Sequence, residues 1–271
     1  MTRIRSSTVL ITGGASGIGK LMGHRLLEKK CSKLVVWDID ESNLESLSSE
    51  WSGEGYQVYP YLVDVSRVSQ IEEMADDVLK NVGKVDILIN NAGVVVGKDF
   101  SKHSARDIDT TIDVNIRGVM HVTRAFIQPM IKTGSGHVVN IASAAAMIPN
   151  PKMSVYAASK WAVLGWSESL RLELEQESKN LKVTTVTPSY INTGMFAGVK
   201  APLLTPLLEP EEIVEEIISA IQENQILVRA PKMVNLLPFL RGVLPVNWFD
   251  FTARQLGIYD SMIDFKGRNK S

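Results

Sequence analysis

Short apolar runs alternate with amphipathic stretches along almost the whole chain. Seven runs rich in Val, Ile, Leu and Tyr predict β-strands at 8–12, 34–38, 57–64, 85–90, 137–143, 183–188 and 226–230. Several runs are continuously apolar rather than alternating, which is typical of strands buried on both faces. Helical patterns lie between them at 17–30, 41–51, 68–82, 104–132, 156–178 and 210–224. This strand–helix alternation predicts an α/β fold, with a doubly wound, seven-stranded parallel sheet flanked by helices in a single domain over residues 1–271.

Two segments interrupt the alternation. Residues 194–210 carry Pro202, Pro206 and Pro210 at every fourth position. This excludes an ordinary helix, and an apolar insertion of this length indicates a substrate lid or binding loop. The C-terminal segment, 231–271, begins with a stretch that is poor in charge. It could pack on the core, cover an apolar pocket or rest on a membrane surface.

Composition narrows the class of protein. A formal net charge of −1 provides no general attraction to nucleic acid or to an anionic membrane. The single Cys31 excludes an intrachain disulfide framework and suits a reducing compartment. The four histidines are scattered without ligand spacing, so we expect no metal site. No apolar signal-peptide core precedes the first strand and no window is long enough to span a bilayer, so we expect a soluble, cytoplasmic protein.

A glycine-rich loop, TGGASGIG, joins the first predicted strand to the first helix. Gly13, Gly17 and Gly19 allow a tight turn and close approach of the backbone to a pyrophosphate. The N-terminus of the helix offers N–H groups to the same phosphates. Such a loop between a strand and a helix predicts a Rossmann-type dinucleotide site.

Asp38 ends the second predicted strand, about 20 residues after the loop. A carboxylate at this place can accept both ribose hydroxyls of NAD and would repel the extra phosphate of NADP. Ser16, rather than a cation, precedes Gly17. We therefore expect NAD to be preferred over NADP, the alternative being that Asp38 only caps the following helix.

The stretch YAASK places Tyr156 and Lys160 one turn apart on one helical face. At roughly 4 Å and an effective dielectric constant of about 20, the ammonium could lower the phenol pKa by at most roughly three units. Tyrosine would then be a proton donor or acceptor near neutral pH. Taken alone, the pair could also be an exposed aromatic residue beside a solvated lysine.

Further motifs occur in a regular order and spacing with the glycine-rich loop and YAASK. NNAG closes the fourth predicted strand at 90–93, Ser143 ends the fifth, and YAASK begins thirteen residues later. In this order and spacing, the motifs resemble those of the short-chain dehydrogenase/reductase family over most of the chain. The resemblance implies an NAD(P)-dependent oxidoreductase in which Tyr156 is the general acid/base. It also implies that Lys160 tunes Tyr156 and holds the nicotinamide ribose, and that Ser143 binds the substrate oxygen.

The resemblance extends to positions with less distinctive residues. Asn115, in DVNIRG, matches a helix asparagine that holds a water linked to the lysine. Ser189 in PSYINT replaces the family's usual glycine, and Asn90 is expected to stabilise the sheet. The remaining implied cofactor contacts, besides the loop glycines and Asp38, are Ser16, Ile18, Asp64, Val65, Asn91, Ala92, Gly93, Tyr156, Lys160, Pro188, Ile191 and Thr193.

Several stretches, among them KLVVWDID and NTGMF, resemble the branch of retinol dehydrogenases and 17-beta-hydroxysteroid dehydrogenases. The branch implies a hydrophobic primary or secondary alcohol, or its ketone or aldehyde, as substrate. Two alternatives stay open: a reductase of sugar or acyl-chain carbonyls on the same fold, and a non-catalytic scaffold that senses NAD. By analogy with the family, helices 104–132 and 156–178 would pair in a homodimer or homotetramer. The C-terminal segment could add a peripheral membrane contact.

Overall fold

The computed structural model describes residues 1–203 and 205–267. Leu204, which belongs to the predicted lid, and residues 268–271 of the C-terminal segment lie outside the described residues. Seven parallel strands form one sheet in the order β3-β2-β1-β4-β5-β6-β7. Their bounds are β1 Thr8–Thr12, β2 Lys33–Asp38, β3 Val58–Leu62, β4 Ile87–Asn90, β5 Gly136–Ile141, β6 Leu181–Pro188 and β7 Leu227–Ala230.

Helices cover both faces of the sheet. They are α1 Gly17–Glu28, α2 Glu41–Gly53, α3 Val68–Asn81, α4 Ala105–Ile112, α5 Val119–Thr133, α6 Ser154–Glu177, α7 Pro210–Glu223, α8 Leu237–Val243 and α9 Val246–Gln255. The predicted doubly wound sheet is confirmed, because the strands that read as continuous apolar runs are buried on both faces. Residues of α1, α2 and α7 pack on one face, and residues of α3, α5 and α6 pack on the other.

The strand order reverses between β1 and β4, which are neighbours although β2 and β3 separate them in the chain. Ligands of open α/β sheets bind at such a switch point, beyond the carboxyl ends of the strands. Thr12, Asp38, Asn90 and Ile141 are the last residues of their strands and therefore lie along this edge.

The segment predicted as one helix over 104–132 is helical from Ala105 to its end, but its middle is a π-helix. A π-helical segment, Asp113–Gly118, separates α4 from α5. A π turn accommodates an extra residue and is frequent at functional sites. Here it contains Asn115, whose side chain is fully buried and hydrogen-bonds both the N–H and the C=O of Val94 in the loop after β4.

The two segments that interrupt the strand–helix alternation, 194–210 and 231–271, differ in their secondary structure. Residues 194–203 and 205–209 contain turns and no helix, as the proline spacing predicts, with an isolated bridge between Ile191 and Leu208. The C-terminal segment folds into a short 3-10 turn, α8 and α9. Two of its buried side chains, Phe249 and Ala253, pack against Ile148. No helix of the described residues has the length and apolar character that a bilayer span requires.

Candidate active site

The glycine-rich loop lies against the loop that follows β4. Gly13 has φ +62°, and a Cβ atom there would come within 2.9 Å of Ala92 Cα. A Cβ atom on Gly19 would lie 2.1 Å from Gly13 O. Side chains are therefore excluded at both positions, and α1 begins at Gly17 with its N-terminus toward the cleft between the two loops.

Thr12 and Asn91 join these loops by hydrogen bonds. The N–H groups of Asn91 and Ala92 both donate to Thr12 Oγ1 at 3.1 Å. Asn91 Nδ2 donates to Thr12 O at 3.0 Å and to Gly13 O at 2.9 Å. Asn90 instead points into the sheet, where its Nδ2 donates to Asn140 Oδ1 and Thr123 Oγ1. This agrees with the structural role expected for Asn90.

Asp38 is half-buried at the end of β2, and its carboxylate organises the backbone around the glycine-rich loop. Oδ2 accepts a hydrogen bond from Ala15 N at 2.8 Å, and Oδ1 accepts from the N–H groups of Ile39 and Asp40. The cap of α2 is Asp40, whose side chain accepts from Asn43 N. The alternative in which Asp38 serves only as the helix cap is therefore wrong.

Tyr156 and Lys160 lie one turn apart near the start of α6, and both are buried. Lys160 Nζ lies 5.7 Å from the centroid of the Tyr156 ring and donates a hydrogen bond to Ile141 O at 2.9 Å. The alternative of an exposed tyrosine beside a solvated lysine is thus wrong. Ser143 lies just beyond β5 and lines the same cavity as Tyr156 and Lys160. Its hydroxyl donates to Pro188 O at 3.4 Å and accepts from Ala145 N at 3.2 Å.

Burial has the largest effect on the pKa values within this trio of side chains, Ser143, Tyr156 and Lys160. It raises the pKa of Tyr156 to about 12, against the opposing effect of the neighbouring Ser143 hydroxyl. It also lowers the pKa of Lys160 to about 8, because the charged ammonium is withdrawn from water. The lowered phenol pKa expected from the Tyr156–Lys160 spacing is not found, since desolvation of the phenolate outweighs a cation whose hydrogen bond goes to the backbone.

Asn115 connects the π segment to both sides of the site. Its Oδ1 accepts from Val94 N at 2.8 Å, and its Nδ2 donates to Val94 O at 2.9 Å and to Ser159 Oγ at 3.0 Å. Ser159 immediately precedes Lys160. The Asn115 side chain thus fixes the loop after β4 relative to α6.

One continuous cavity of about 570 Å³, the central cleft, runs along the carboxyl edge of the sheet. Asn115 lies behind its wall and is not part of its lining. The other predicted site residues all line this cleft: Gly13, Ser16, Gly17, Ile18, Gly19, Asp38, Asp64, Val65, Asn91, Ala92, Gly93, Ser143, Tyr156, Lys160, Pro188, Ile191 and Thr193.

Several lining residues were missed by the sequence analysis. Arg106, Thr110 and Val114 recur every four residues, a spacing that places them on one helical face toward the cleft. That periodicity was a usable signal. Met195 and Phe196 of the predicted lid also line the cleft. Their position depends on how a turn-rich loop folds back, for which the sequence carries no local pattern.

A second, smaller cavity adjoins the trio. This side cavity, of about 50 Å³, lies between Ser143, Asn150, Tyr190, Phe196, Leu237 and Ile258, and its other lining residues are mostly apolar. The Phe196 ring is oriented edge-on to two tyrosine rings. Its centroid lies 5.2 Å from that of Tyr190 and 6.2 Å from that of Tyr156. The lid residue Phe196 therefore borders both cavities.

The residues of the central cleft fit a dinucleotide with a nicotinamide ring. The close-packed glycine loop and the N-terminus of α1 could hold the phosphates, and the Asp38 carboxylate could accept hydrogen bonds from a ribose. At the other end of the cleft, Ser143 and Tyr156 present hydroxyl groups side by side. Such a pair can hold a substrate oxygen and exchange a proton with it.

Comparisons with known proteins agree with this arrangement. The family model for short chain dehydrogenases matches residues 7–203. Epidermal retinol dehydrogenase 2 of Mus musculus is 36% identical over 271 residues, covering 98% of this chain and 87% of that protein. Estradiol 17-beta-dehydrogenase 11 of Macaca fascicularis is 36% identical over 265 residues, covering 97% and 88%.

A solved structure is similar as well. The short chain dehydrogenase/reductase of Burkholderia phymatum in complex with NAD has a TM-score of 0.82 at 25% identity, covering 93% of this chain and 97% of that one. The resemblance to the retinol and 17-beta-hydroxysteroid dehydrogenase branch is confirmed by the curated relatives. The chain belongs to the short-chain dehydrogenase family, as an NAD(P)-dependent oxidoreductase that acts on CH–OH groups.

Proposed function

We propose that this enzyme interconverts a hydrophobic primary or secondary alcohol and its carbonyl compound, with NAD as the preferred cofactor. The observation that carries the proposal is that Ser143, Tyr156 and Lys160 line the same cleft as the glycine-rich loop and Asp38. A scaffold that only senses a dinucleotide would have no need for these three groups beside the cofactor site.

Each group has a defined role in the proposal. Tyr156 Oη exchanges a proton with the substrate oxygen, and Ser143 Oγ holds that oxygen beside it. Lys160 would hold the nicotinamide ribose and favour the phenolate during proton transfer. Asn115 is a positioning residue, since it acts through Val94 and Ser159. The bound nicotinamide would supply the hydride chemistry, and the protein supplies the placement of the reacting groups.

The preference for NAD rests on Asp38. Its carboxylate lines the central cleft next to the glycine-rich loop and is held in place by three backbone N–H groups. A fixed negative charge at this place accepts hydrogen bonds from ribose hydroxyls and repels a 2′-phosphate. The other cofactor contacts that we propose are the cleft-lining residues named above.

The hydrophobic substrate class is supported by the walls around Ser143. Ala145, Ile148, Met153, Leu237 and Ile258 line the side cavity. A pocket for sugars needs more hydrogen-bonding groups than such walls offer. The names of the relatives, a retinol dehydrogenase and an estradiol dehydrogenase, agree with a lipid-like alcohol. We propose that residues 194–210 act as the lid, because Phe196 borders both cavities.

The proposal also covers the oligomeric state of the enzyme and its location in the cell. We propose a cytoplasmic homodimer or homotetramer that pairs through α4–α6, where Trp161 and Leu172 are exposed. We also propose that the C-terminal segment rests on a membrane surface. Its helices expose Phe239, Val243, Val246, Trp248 and Phe251, each more than 60% accessible to solvent.

The direct test is NADH formation, followed by absorbance at 340 nm, with purified protein, NAD and a panel of alcohols. The panel contains retinoid, steroid and long-chain alcohols, with small polyols as the polar comparison. Turnover that is confined to the hydrophobic alcohols supports the proposal. Turnover that is best with polyols, or a higher kcat/KM with NADP than with NAD, contradicts the substrate class or the cofactor preference respectively.

A further inference from the structure

The lid is hydrogen-bonded to the C-terminal strap, which is the segment 256–267 that follows α9. The two segments run in opposite directions, and backbone bonds join them at every third residue of the lid. These bonds are Lys266 N to Ala197 O at 2.9 Å, Lys200 N to Ser261 O at 3.0 Å and Leu203 N to Leu256 O at 3.1 Å. On the exposed side, Lys200 Nζ lies 2.8 Å from Asp264 Oδ2. Residues 194–203 of the lid are therefore closed against the strap.

The strap is fixed to the body of the enzyme. Ser261 and Met262 are almost completely buried, with 0% and 1% of their surface exposed. Ser261 Oγ lies 2.9 Å from Tyr190 Oη, and Met262 belongs to the same apolar cluster as Tyr156. In the lid, residues 194–201 are half-buried or exposed. The strap is thus the anchored side of this contact, and the lid is the side that is free to move.

Gly198 lies directly against the strap. Its φ is +84°, and a Cβ atom there would come within 2.1 Å of Asp264 O. A side chain at this position is therefore excluded while the lid contacts the strap. Gly194, at the start of the lid, has a similar φ of +81°, but a Cβ atom there would have nothing within 4 Å. The two glycines thus share a backbone conformation, and only Gly198 needs its missing side chain for the contact.

The lid leaves little room for a substrate in this position. The side cavity, which adjoins Ser143 on its apolar side, has a volume of about 50 Å³. Sites for small molecules are typically about 300–1,000 Å³. Phe196 borders this cavity and the central cleft, and its ring lies beside Tyr156. A hydrophobic alcohol therefore reaches Ser143 after Phe196 has moved away, and Phe196 directly precedes Ala197, whose carbonyl is bonded to the strap.

We propose that the C-terminal strap is a latch, which holds the lid closed over Tyr156 and releases it when a substrate enters or a product leaves. In the closed enzyme, the bonds to Ala197 and Lys200 keep Phe196 beside the reacting groups and exclude water from them. In the open enzyme these bonds are broken. This inference rests on the proposed function, because it assumes that Ser143 and Tyr156 act on a hydrophobic alcohol.

The first test is hydrogen exchange of the free enzyme, followed by mass spectrometry over 194–203 and 256–267. It compares the wild type with Gly198→Ala and Gly194→Ala. Both alanines adopt a positive φ and carry similar backbone strain, but only the one at position 198 collides with the strap. We expect both segments to exchange at least about 10-fold faster in Gly198→Ala, and within about three-fold of the wild-type rate in Gly194→Ala.

Steady-state kinetics distinguish a latch from a contact that only stabilises the fold. The substrate is decan-1-ol, retinol or estradiol, whichever the wild type oxidises fastest. A less populated closed state weakens the apparent binding of the substrate, while saturating substrate still closes the lid. For Gly198→Ala we therefore expect KM to rise about 10-fold and kcat to stay within about two-fold of the wild-type value.

The converse test locks the lid. The double variant Lys200→Cys/Asp264→Cys is saturated with NAD and closed by a disulfide, or by a short bis-maleimide if no disulfide forms. The native Cys31 is buried. A single turnover of the same alcohol is then followed by NADH absorbance, and we expect it to be at least about 100-fold slower than before cross-linking. This test decides the proposal even if Gly198→Ala does not fold.

A locked enzyme that turns over as fast as the same variant before cross-linking would overturn the proposal. A folded Gly198→Ala enzyme with either the exchange rate or the KM of the wild type would overturn it too. If no alcohol is oxidised, the proposed function fails, while hydrogen exchange of the free enzyme still decides whether the strap holds the lid.

Discussion

The ammonium nitrogen of Lys160 lies 5.7 Å from the centre of the Tyr156 ring, while its hydrogen bond goes to the carbonyl of Ile141 at the end of β5. The cation is therefore tied to the sheet and not to the phenol. Both side chains are buried, and desolvation moves their pKa values apart, down to about 8 for Lys160 and up to about 12 for Tyr156.

The buried lysine predicts a pH-dependent stability. The pKa of Lys160 is about 8 in the fold and near 10.5 in the unfolded chain, so between these values the folded protein binds fewer protons. The free energy of unfolding should rise with pH across this window, by at most roughly 1.4 kcal/mol per pH unit. Chemical denaturation of the wild type and of Lys160→Met at pH 7 to 10 measures the effect.

The quantity to follow is the difference between the two unfolding free energies, since other groups titrate alike in both proteins. We expect the wild type to gain stability relative to Lys160→Met from about pH 8 upward. A difference that stays constant over the whole range would mean that Lys160 keeps its ordinary pKa and is solvated.

We predict that replacing Asp38 weakens the preference for NAD over NADP. Asp38→Asn keeps an oxygen to accept from Ala15 N but removes the negative charge. We expect the ratio of kcat/KM for NAD over NADP to fall about 10- to 100-fold, which corresponds to about 1.4–2.8 kcal/mol. Steady-state kinetics with both cofactors at one alcohol concentration provides the ratio.

A matched control lies two residues further on. Asp40 caps α2 and is not among the residues that line the central cleft. Asp40→Ala should lower the free energy of unfolding by about 1 kcal/mol and leave the NAD/NADP ratio unchanged. If both variants change the ratio alike, or neither does, the charge of Asp38 is not the selecting feature.

We predict that replacing Asn115 lowers both the stability of the fold and the activity of the enzyme. Asn115→Leu removes three hydrogen bonds and leaves the partly buried Val94 without an acceptor for its N–H. We expect the free energy of unfolding to fall by about 3 kcal/mol or more. Urea denaturation measures the loss, and Asn43→Ala on the exposed surface of α2 provides a control that should change by less than about 1 kcal/mol.

If Asn115 only stabilised the fold, the activity of Asn115→Leu would decrease in proportion to the fraction of the protein that is unfolded. We expect instead that kcat falls at temperatures where Asn115→Leu is fully folded, because Val94 and Lys160 are no longer fixed relative to each other. A fully folded variant with wild-type kcat would remove Asn115 from the set of positioning residues.

The sequence was sufficient to predict the sheet and most of the central cleft. Continuous apolar runs identify buried parallel strands, and the ends of such strands meet at one edge. Gly13 and Asp38 could therefore be assigned to one site from their positions at the ends of strands, whereas Ser143 and Tyr156 were assigned to it from the family resemblance. Strand and helix ends differ from the predicted bounds by only a few residues.

Features that depend on tertiary packing could not be predicted in this way. The direction of the Tyr156 pKa depends on how completely the phenol is withdrawn from water, which spacing along a helix does not reveal. The π segment around Asn115 looks like ordinary helix in the sequence. The contact of Asn150 with Tyr190 and Ser261 joins residues 40 and 111 positions apart through loops that carry no periodic pattern.

The central claim is that Tyr156 transfers the proton within the cofactor cleft, and Tyr156→Phe tests it most directly. Two quantities are measured with the same protein: NADH binding by fluorescence, and NADH formation from NAD and a hydrophobic alcohol that the wild type oxidises. Ser169→Ala, on the exposed side of α6, is the control for substitution on this helix.

We predict that Tyr156→Phe binds NADH with a dissociation constant close to that of the wild type and loses kcat by at least about 100-fold, because the aromatic ring stays and only the proton-transferring hydroxyl is removed. A Tyr156→Phe enzyme that binds NADH and turns over at a near-wild-type rate would contradict the account.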